Sequence, residues 1–493
     1  MGPIQLSSSN QAEVVRPLFE AANPVQSQTL SPQNRPIPSP SDTPARRQRV
    51  RHALELSRRK IILIVDEVTG SQAIGKVPMV VDISAAAIAT ELWLNPTATA
   101  LLAATRDVPA ADAAASMQRL VADAIAAGHA TRSEVMLFYR IDPFLAGHAF
   151  VETQAISRRF GGFDGVLWVP AFFDGDVYTL DSIQWVRAGD RLVPLTDRDP
   201  DTDPRFPVRE SDLRRWLEAR SDGALPPGSV EAIRLAEVRT GRDTLLRRLR
   251  GVRDGRHVIV DAATMDDLYD LFLTCLLAER EGARFLYVAG PSFSRACTSQ
   301  ADVPQLRGPE LFGPKRPVGP GIVMLGPPTR ANGALRNVIR RHPAVLDLVL
   351  EPTIDVSNYK HGQLLRPQHF RHVSGQVGQA LEAELTPLLS FSPLTGSPTD
   401  DEIVAFRQAC ARAMTDIFLA LAVPPQWLLV ESGTVASAVT RQGLGVRRAE
   451  VLGQVGPGIT AWRLDAGSRI PAGILAVVTP EVADHRTVLN LIQ

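Results

Sequence analysis

The stretch Ile61–Gly70 reads IILIVDEVTG and decides the fold class that the sequence predicts. It opens with five apolar, mostly β-branched residues, which is typical of a strand buried on both faces of a parallel sheet. Asp66 and Glu67 come directly after this strand. Since α/β proteins bind ligands at the carboxyl ends of their strands, we expect these acids to face a ligand.

The composition limits the class of protein. At 493 residues the chain is too long for one ordinary core, which favours two domains. Its 53 Lys and Arg residues equal its 53 Asp and Glu residues, so we expect neither nucleic acid nor a membrane as partner. No apolar run is long enough to span a membrane. The three cysteines lack CxxC spacing, which favours free thiols in a reducing compartment such as the cytoplasm.

The first 60 residues differ from the rest. Residues 1–45 are rich in Ser, Pro, Gln and Asn, so they bury too little apolar surface to fold, and we predict disorder. The basic run at 45–60 predicts a solvated helix that leads into the body. The acid-poor arm is similar to the N-terminal export signals of bacterial type III effectors, which makes secretion into a host cell the alternative to a cytoplasmic location. A plain disordered tail has the same composition.

Beyond residue 60, strand-like and helix-like patterns alternate, which predicts βαβ units and parallel sheets. Gly128 is predicted to cap a helix over 110–128, and Ser211 to open one over 211–221. We therefore predict an α/β fold of two domains, with parallel or mixed sheets flanked by helices and a disordered N-terminal arm. The predicted ranges are an arm with a basic lead-in (1–55), a first α/β domain (56–228), a linker helix (229–255) and a second α/β domain (256–493).

A phosphate-loop pattern, G-x-x-x-x-G-K, runs from Gly70 to Lys76. Such a loop binds phosphate through the N-terminus of the helix that follows it. Here Val77 replaces the usual hydroxyl residue, and Pro78 is followed by another strand-like run, MVVDI. We therefore interpret the pattern as a coincidence.

The order of motifs over residues 61–493 resembles the four-carbon acid sugar kinase family. The stretch Asp66–Gly70 resembles the family's DDLTG motif, with the second Asp changed to Glu. Residues 140–148 (RIDPFLAGH) fall on its K-x-D-S-T-L-R-G-N motif. In the second half, Ser432-Gly433-Thr434 stands where the family has G-G-x-T, and the run at 443–464 is the longest match.

The resemblance implies a two-domain enzyme that uses ATP and magnesium to phosphorylate the terminal hydroxyl of a small sugar acid. It implies that Asp66 and Asp142 are catalytic and that Glu67, Thr69 and Arg140 contact the sugar acid. The nucleotide contacts that it implies are Gly326, Thr329, Gly433, Thr434 and Gly458. We predict no metal ligand from the protein, and the oligomeric state stays open.

Several departures from the family pattern affect the chemistry. Pro143, Phe144 and Ala146 replace the Ser, Thr and Arg that would bind the substrate carboxylate through charge-assisted hydrogen bonds. Residues 479–484 (TPEVAD) replace a glycine loop that lets backbone amides approach phosphates. Two hypotheses follow. The chain is an active sugar-acid kinase with an altered substrate, or it is a pseudokinase that keeps the fold to bind a ligand or a protein partner.

Overall fold

The structure, a computed structural model, describes residues 35–94, 96–198, 205–300, 305–312, 319–352, 364–393, 399–456, 458–470 and 473–478. The disorder predicted for residues 1–34 and the altered loop at 479–484 lie outside these residues. Within the described ranges, no helix is both long and apolar enough to cross a membrane.

The strands of the described residues alternate with helices along the chain. In order they are β1 (Arg35–Pro36), β2 (Lys60–Val65), β3 (Val77–Val80), β4 (Ala98–Leu102), β5 (Val135–Arg140), β6 (Gly165–Val169), β7 (Val177–Leu180), β8 (Ile183–Ala188), β9 (Arg191–Pro194), β10 (Glu231–Ile233), β11 (Arg256–Val260), β12 (Phe285–Ala289), β13 (Ile322–Leu325), β14 (Val345–Leu350), β15 (Thr386–Phe391), β16 (Trp427–Glu431), β17 (Arg448–Gly456), β18 (Ile459–Leu464) and β19 (Ile474–Val478).

The helices follow the same order. They are α1 (Pro44–Ser57), α2 (Ala85–Leu94), α3 (Ala110–Thr131), α4 (Ala149–Phe160), α5 (Leu213–Arg220), α6 (Leu235–Arg239), α7 (Arg242–Arg250), α8 (Met265–Arg280), α9 (Pro291–Cys297), α10 (Gly308–Phe312), α11 (Arg330–Ile339), α12 (Pro367–Glu382), α13 (Asp400–Leu419) and α14 (Gly433–Ala438).

The chain divides into two compact units. Unit 1 takes its described residues from Met1–Arg59, Gly161–Arg198 and Arg209–Ala301. Its strands pair in parallel in the order β10-β11-β6-β12, and a second, antiparallel sheet has the order β1-β9-β8-β7. Strands β6 and β12 are apolar and buried throughout, as expected when both faces of a sheet are covered.

Unit 2 takes its described residues from Lys60–Phe160, Asp199–Val208 and Asp302–Gln493. Its strand order is β5-β2-β4-β3-β17-β18-β19-β16-β13-β15-β14. The strands from β5 to β3 are parallel, as are those from β19 to β14, and the antiparallel hairpin β17–β18 lies between the two groups. The predicted α/β class with parallel and mixed strands is confirmed. Each of the two predicted α/β domain ranges contributes residues to both units, so the domain boundaries stay a prediction.

The predicted disorder is wrong for residues 35–45. Arg35 and Pro36 pair with strand β9, and the carboxylate of Asp266 accepts hydrogen bonds from the Thr43 amide and hydroxyl, at 2.8 and 2.7 Å. Arg46 also donates to Asp266, at 3.0 Å. The sequence contains no local sign of this order, because the partner acid is more than 200 residues away in the chain.

Two predicted helix caps are also wrong. Helix α3 continues to Thr131 and ends at Arg132, so Gly128 lies inside it. A Cβ at Gly128 would lie 3.0 Å from the carbonyl of Ser133, so glycine leaves room for the chain to turn toward β5. Helix α5 is capped by Asp212 rather than by Ser211, since the Asp212 carboxylate accepts the Arg214 amide.

The phosphate-loop pattern has no helix behind it. Residues Val68–Ser71 form a single 3-10 turn, and the chain then enters strand β3. Gly70 is required by packing, because a Cβ there would lie 2.9 Å from the Cβ of Val65. The pattern therefore lacks the helix N-terminus that would bind phosphate, as expected from Pro78.

Candidate functional site

Three neighbouring parallel strands of unit 2 bring the predicted sugar-acid residues together. Strand β2 pairs with β4 on one side and with β5 on the other. Asp66 and Glu67 follow β2, Arg140 ends β5, and Asp142 lies two residues further on. Because parallel strands end at the same edge of a sheet, the side chains converge there.

Arg106, which the sequence analysis did not identify, lies at the centre of this group. Its Nε and Nη2 atoms lie 2.9 and 2.8 Å from Oδ2 of Asp66. Its Nη1 atom lies 2.9 Å from Oε1 of Glu67 and 2.8 Å from Oδ2 of Asp142. A guanidinium has five N–H donors, so one arginine can serve three carboxylates. The available signal was its position in the loop after β4, at the same edge of the sheet as Asp66.

The cluster is almost closed to solvent. The side chain of Asp66 is 2% exposed, that of Arg106 11% and that of Asp142 16%. Buried charges are costly unless they are paired, and here each carboxylate contacts the guanidinium. Of the three carboxylates that contact Arg106, those of Asp66, Glu67 and Asp142, the last is the most exposed. Its other oxygen accepts the Phe144 amide at 2.7 Å, which fixes its orientation.

Burial changes the protonation of the acids in and behind the cluster. Burial raises the pKa of Glu67 to about 8 and that of Glu152 to about 7. Burial also raises the pKa of Asp66, although the adjacent Arg106 opposes the change. Glu152 accepts a hydrogen bond from the buried hydroxyl of Tyr139. Removing a carboxylate from water favours its neutral form, and at Glu67 the adjacent Arg106 opposes this rise in pKa.

The remaining residues predicted to contact the sugar acid bind groups of the chain itself. The Thr69 hydroxyl donates to Oε1 of Glu67. Arg140 is buried and donates to the carbonyl of Ile141. Burial lowers the pKa of Arg140 to about 10, which still leaves it charged at neutral pH.

The residues predicted to contact the nucleotide converge in the same way. Strands β13 and β16 are parallel neighbours, and Gly326 follows the first while Glu431 ends the second. The Gly326 amide donates to Oε2 of Glu431 at 2.9 Å. Thr329 caps helix α11, since its hydroxyl accepts the Asn332 amide at 3.1 Å.

Within unit 2, the residues predicted to contact the nucleotide lie against those predicted to contact the sugar acid. A Cβ at Gly433 would lie 1.9 Å from Oε2 of Glu67, so a larger residue at this position would displace the Glu67 carboxyl group. The next residue, Thr434, donates from its hydroxyl to Oδ1 of Asp107 at 3.1 Å. Asp107 is the direct neighbour of Arg106 in the chain. The predicted nucleotide turn therefore lies against the acid cluster.

Gly458 is placed elsewhere. It lies in the turn of the hairpin between β17 and β18, where Gly456 pairs with Ile459. Its φ of 71° is in the left-handed region that favours glycine. The geometry of the hairpin accounts for this glycine, and its role in nucleotide binding stays a prediction.

We expect Arg106→Ala to lower the free energy of unfolding by about 3–5 kcal/mol, because it leaves buried carboxylates without their cation. Denaturant unfolding at neutral pH measures the change. Arg119→Ala, at an exposed position on helix α3, is the matched control and should change stability by about 0.5 kcal/mol or less. An equally small effect at Arg106 would show that the ion pairs are not formed.

The raised pKa of Glu67 predicts a dependence of stability on pH. Its folded-state pKa of about 8 lies above the ordinary value of 4.5, so the folded state binds more protons between these values. Its contribution to stability is therefore complete below pH 4.5 and is lost as the pH rises toward 8. Glu67→Gln should make the fall in unfolding free energy shallower across this window.

Urea unfolding at several pH values measures this slope. The exposed Glu382→Gln is the control and should follow the wild-type slope. An unchanged slope in Glu67→Gln would contradict the assignment of the bound proton to Glu67.

Gly433→Ala should destabilise unit 2 by about 1–3 kcal/mol, because the new methyl group overlaps the carboxyl group of Glu67. Thermal unfolding measures the loss. Gly375→Ala, on helix α12 with open space around its Cα, should be neutral or slightly stabilising. Equal melting temperatures for the two variants would exclude the close contact.

Comparison with known proteins gives one family match and several structures of the same fold. Residues 61–297 match the family described as the sugar-binding N-terminal domain. No functionally curated protein matches the sequence.

Two crystal structures share the fold. Protein HI1011 of Haemophilus influenzae, of the DUF1537 family, is 15% identical, with a TM-score of 0.53, over 87% of this chain and 98% of its own. A protein of Salmonella typhimurium LT2, described provisionally as a tRNA synthase, is 16% identical, with a TM-score of 0.59, over 88% of this chain and 98% of its own. The DUF1537 family is the four-carbon acid sugar kinase family. The resemblance to the four-carbon acid sugar kinase family is therefore confirmed, and residues 61–297 belong to its sugar-binding N-terminal domain family.

Proposed function

We propose that this protein phosphorylates the terminal hydroxyl of a small sugar acid with ATP, at the acid cluster of unit 2. The contact between Gly433 and Glu67 carries the proposal. Phosphoryl transfer depends on holding donor and acceptor next to each other, with charge stabilisation around the transferring group. The turn predicted for the nucleotide and the acids predicted for the substrate meet that requirement.

The residues on the nucleotide side fit a phosphate group. Helix α11 has ten residues and begins directly after the capping residue Thr329, so its N-terminus favours an anion. The Thr434 hydroxyl adds a donor close to Gly433. A bound nucleotide supplies the phosphoryl group that is transferred.

The described residues do not fit a protein-bound magnesium ion. No group of three His, Cys, Asp or Glu side chains among them is arranged to hold a metal. The carboxylates of Asp66 and Glu67 are engaged by Arg106.

Asp142 is the residue suited to accept the proton of the sugar hydroxyl. It is more exposed than Asp66, and its two oxygens are oriented by Arg106 and by the Phe144 amide. A carboxylate that accepts one hydrogen bond at each oxygen keeps further lone pairs for a hydroxyl. Asp66 holds the Arg106 guanidinium in place, and Arg106 offers positive charge to the carboxylate of the substrate.

On this proposal the protein acts in the cytoplasm, where ATP and reducing conditions are both present. Cys275, Cys297 and Cys410 are free and buried, which agrees with a reducing compartment.

Calorimetry with Mg-ATP and a phosphorylation assay with D-threonate and D-erythronate test the proposal. Asp142→Asn should keep binding of Mg-ATP within about twofold and lower the rate of phosphorylation about 100-fold or more, because it removes the proton acceptor. Lack of binding by the wild type at millimolar ATP would overturn the proposal. Full activity of Asp142→Asn would exclude Asp142 as the base.

The second candidate is a pseudokinase that binds a ligand or a protein partner without transfer. The enclosure of Asp66 and Glu67 by Arg106, and the Pro143-Phe144 pair beside Asp142, favour it. Delivery into a host cell through the N-terminal arm belongs to this candidate. Binding of Mg-ATP without phosphorylation of either sugar acid would support it over the kinase.

A further inference from the structure

Asp107 lies between the two sides of the site, and neither the family resemblance nor the predicted residues include it. Its Oδ1 atom accepts the Thr434 hydroxyl at 3.1 Å and lies 2.8 Å from Nη2 of Arg205. The side chain is 23% exposed, so a ligand can reach it. Its chain neighbour Arg106 binds the acid cluster.

The segment around Asp107 is held along its backbone as well. The Thr105 amide donates to the Asp66 carbonyl at 2.9 Å. Arg205 donates from Nη1 to the Arg106 carbonyl at 3.4 Å, and Nε2 of His148 lies 2.9 Å from the Val108 carbonyl. Because these contacts hold residues 105–108 on both sides, we expect the segment to move as a rigid unit. A displacement of Arg106 therefore also displaces Asp107.

The Thr434 hydroxyl has a single proton to donate. While that proton is given to Asp107, it is not available to a phosphate oxygen. The negative charge of Asp107 also opposes an anion at the same place, although Arg205 offsets part of it. In this arrangement Asp107 therefore competes with a nucleotide for Thr434.

We propose that Asp107 is a positioning residue that withholds Thr434 from the nucleotide until a sugar acid has engaged Arg106. The inference rests on the proposed kinase function. A substrate carboxylate draws the Arg106 guanidinium toward itself while Asp66 keeps its ion pair, and the accompanying shift of Asp107 releases Thr434. The sugar acid consequently tightens nucleotide binding, and by linkage the nucleotide tightens binding of the sugar acid by the same factor.

Calorimetry on the full-length protein tests this, with a non-hydrolysable ATP analogue as probe, titrated with and without D-threonate or D-erythronate. In the wild type the sugar acid should lower the dissociation constant of the analogue about fivefold or more. Asp107→Asn removes the charge that opposes a phosphate, so it should bind the analogue about tenfold tighter without sugar acid, and the sugar acid should then add less than in the wild type. A gain in affinity is a change that mere loss of structure would not produce.

Two further variants complete the test. Arg205→Gln leaves the Asp107 charge less neutralised, so it should weaken binding of the analogue while the sugar acid still enhances it. Asp112→Asn, at an exposed position in the first turn of helix α3, is the matched control and should behave as the wild type.

The outcomes separate the two proposals. No binding of the analogue by the wild type would overturn both. Wild-type affinity in Asp107→Asn, with the same enhancement by sugar acid, would overturn the role of Asp107 and leave the kinase proposal standing. If neither sugar acid binds, the affinity of Asp107→Asn for the analogue alone decides the role of Asp107.

Discussion

The site depends on one guanidinium. Arg106 pairs with Asp66, Glu67 and Asp142 in a region almost closed to water. Such a cluster is stable only if its charges nearly cancel, because the cost of removing ions from water is large. Arg106 carries one positive charge against three acids, so it does not neutralise them all. Protonation neutralises part of the remaining negative charge, since burial raises the pKa of Glu67 to about 8. Cation and protons together let several acids lie side by side.

Backbone geometry then decides what can approach these acids. A Cβ at Gly147 would lie 2.9 Å from Oδ2 of Asp66, and one at Gly433 would lie 1.9 Å from Oε2 of Glu67. Both acids are therefore covered by glycine backbone, and Asp142 is left as the more open carboxylate. The same close packing brings the turn after β16 to the end of β2, which a transfer reaction needs.

The structure partly compensates for the departures from the family pattern that the sequence shows. Pro143, Phe144 and Ala146 remove a guanidinium and two hydroxyls from the strand-end segment after β5. Arg106 supplies a guanidinium to the same edge from the loop after β4. The Phe144 amide still orients Asp142. A cluster of positive and negative groups is thus retained at this edge of the sheet.

Local pattern in the sequence determined the α/β class, the strand that ends at Asp66 and the resemblance to sugar-acid kinases, because periodicity and short motifs depend on neighbouring residues. Tertiary structure decided the rest. Arg106 meets Asp66 and Asp142 from 40 and 36 positions away, and Thr434 meets Asp107 across 327 positions. Thr43 and Arg46 likewise meet Asp266 across 223 and 220 positions. Such pairings follow from which strands are neighbours in the sheet, and no local signal in the chain specifies that.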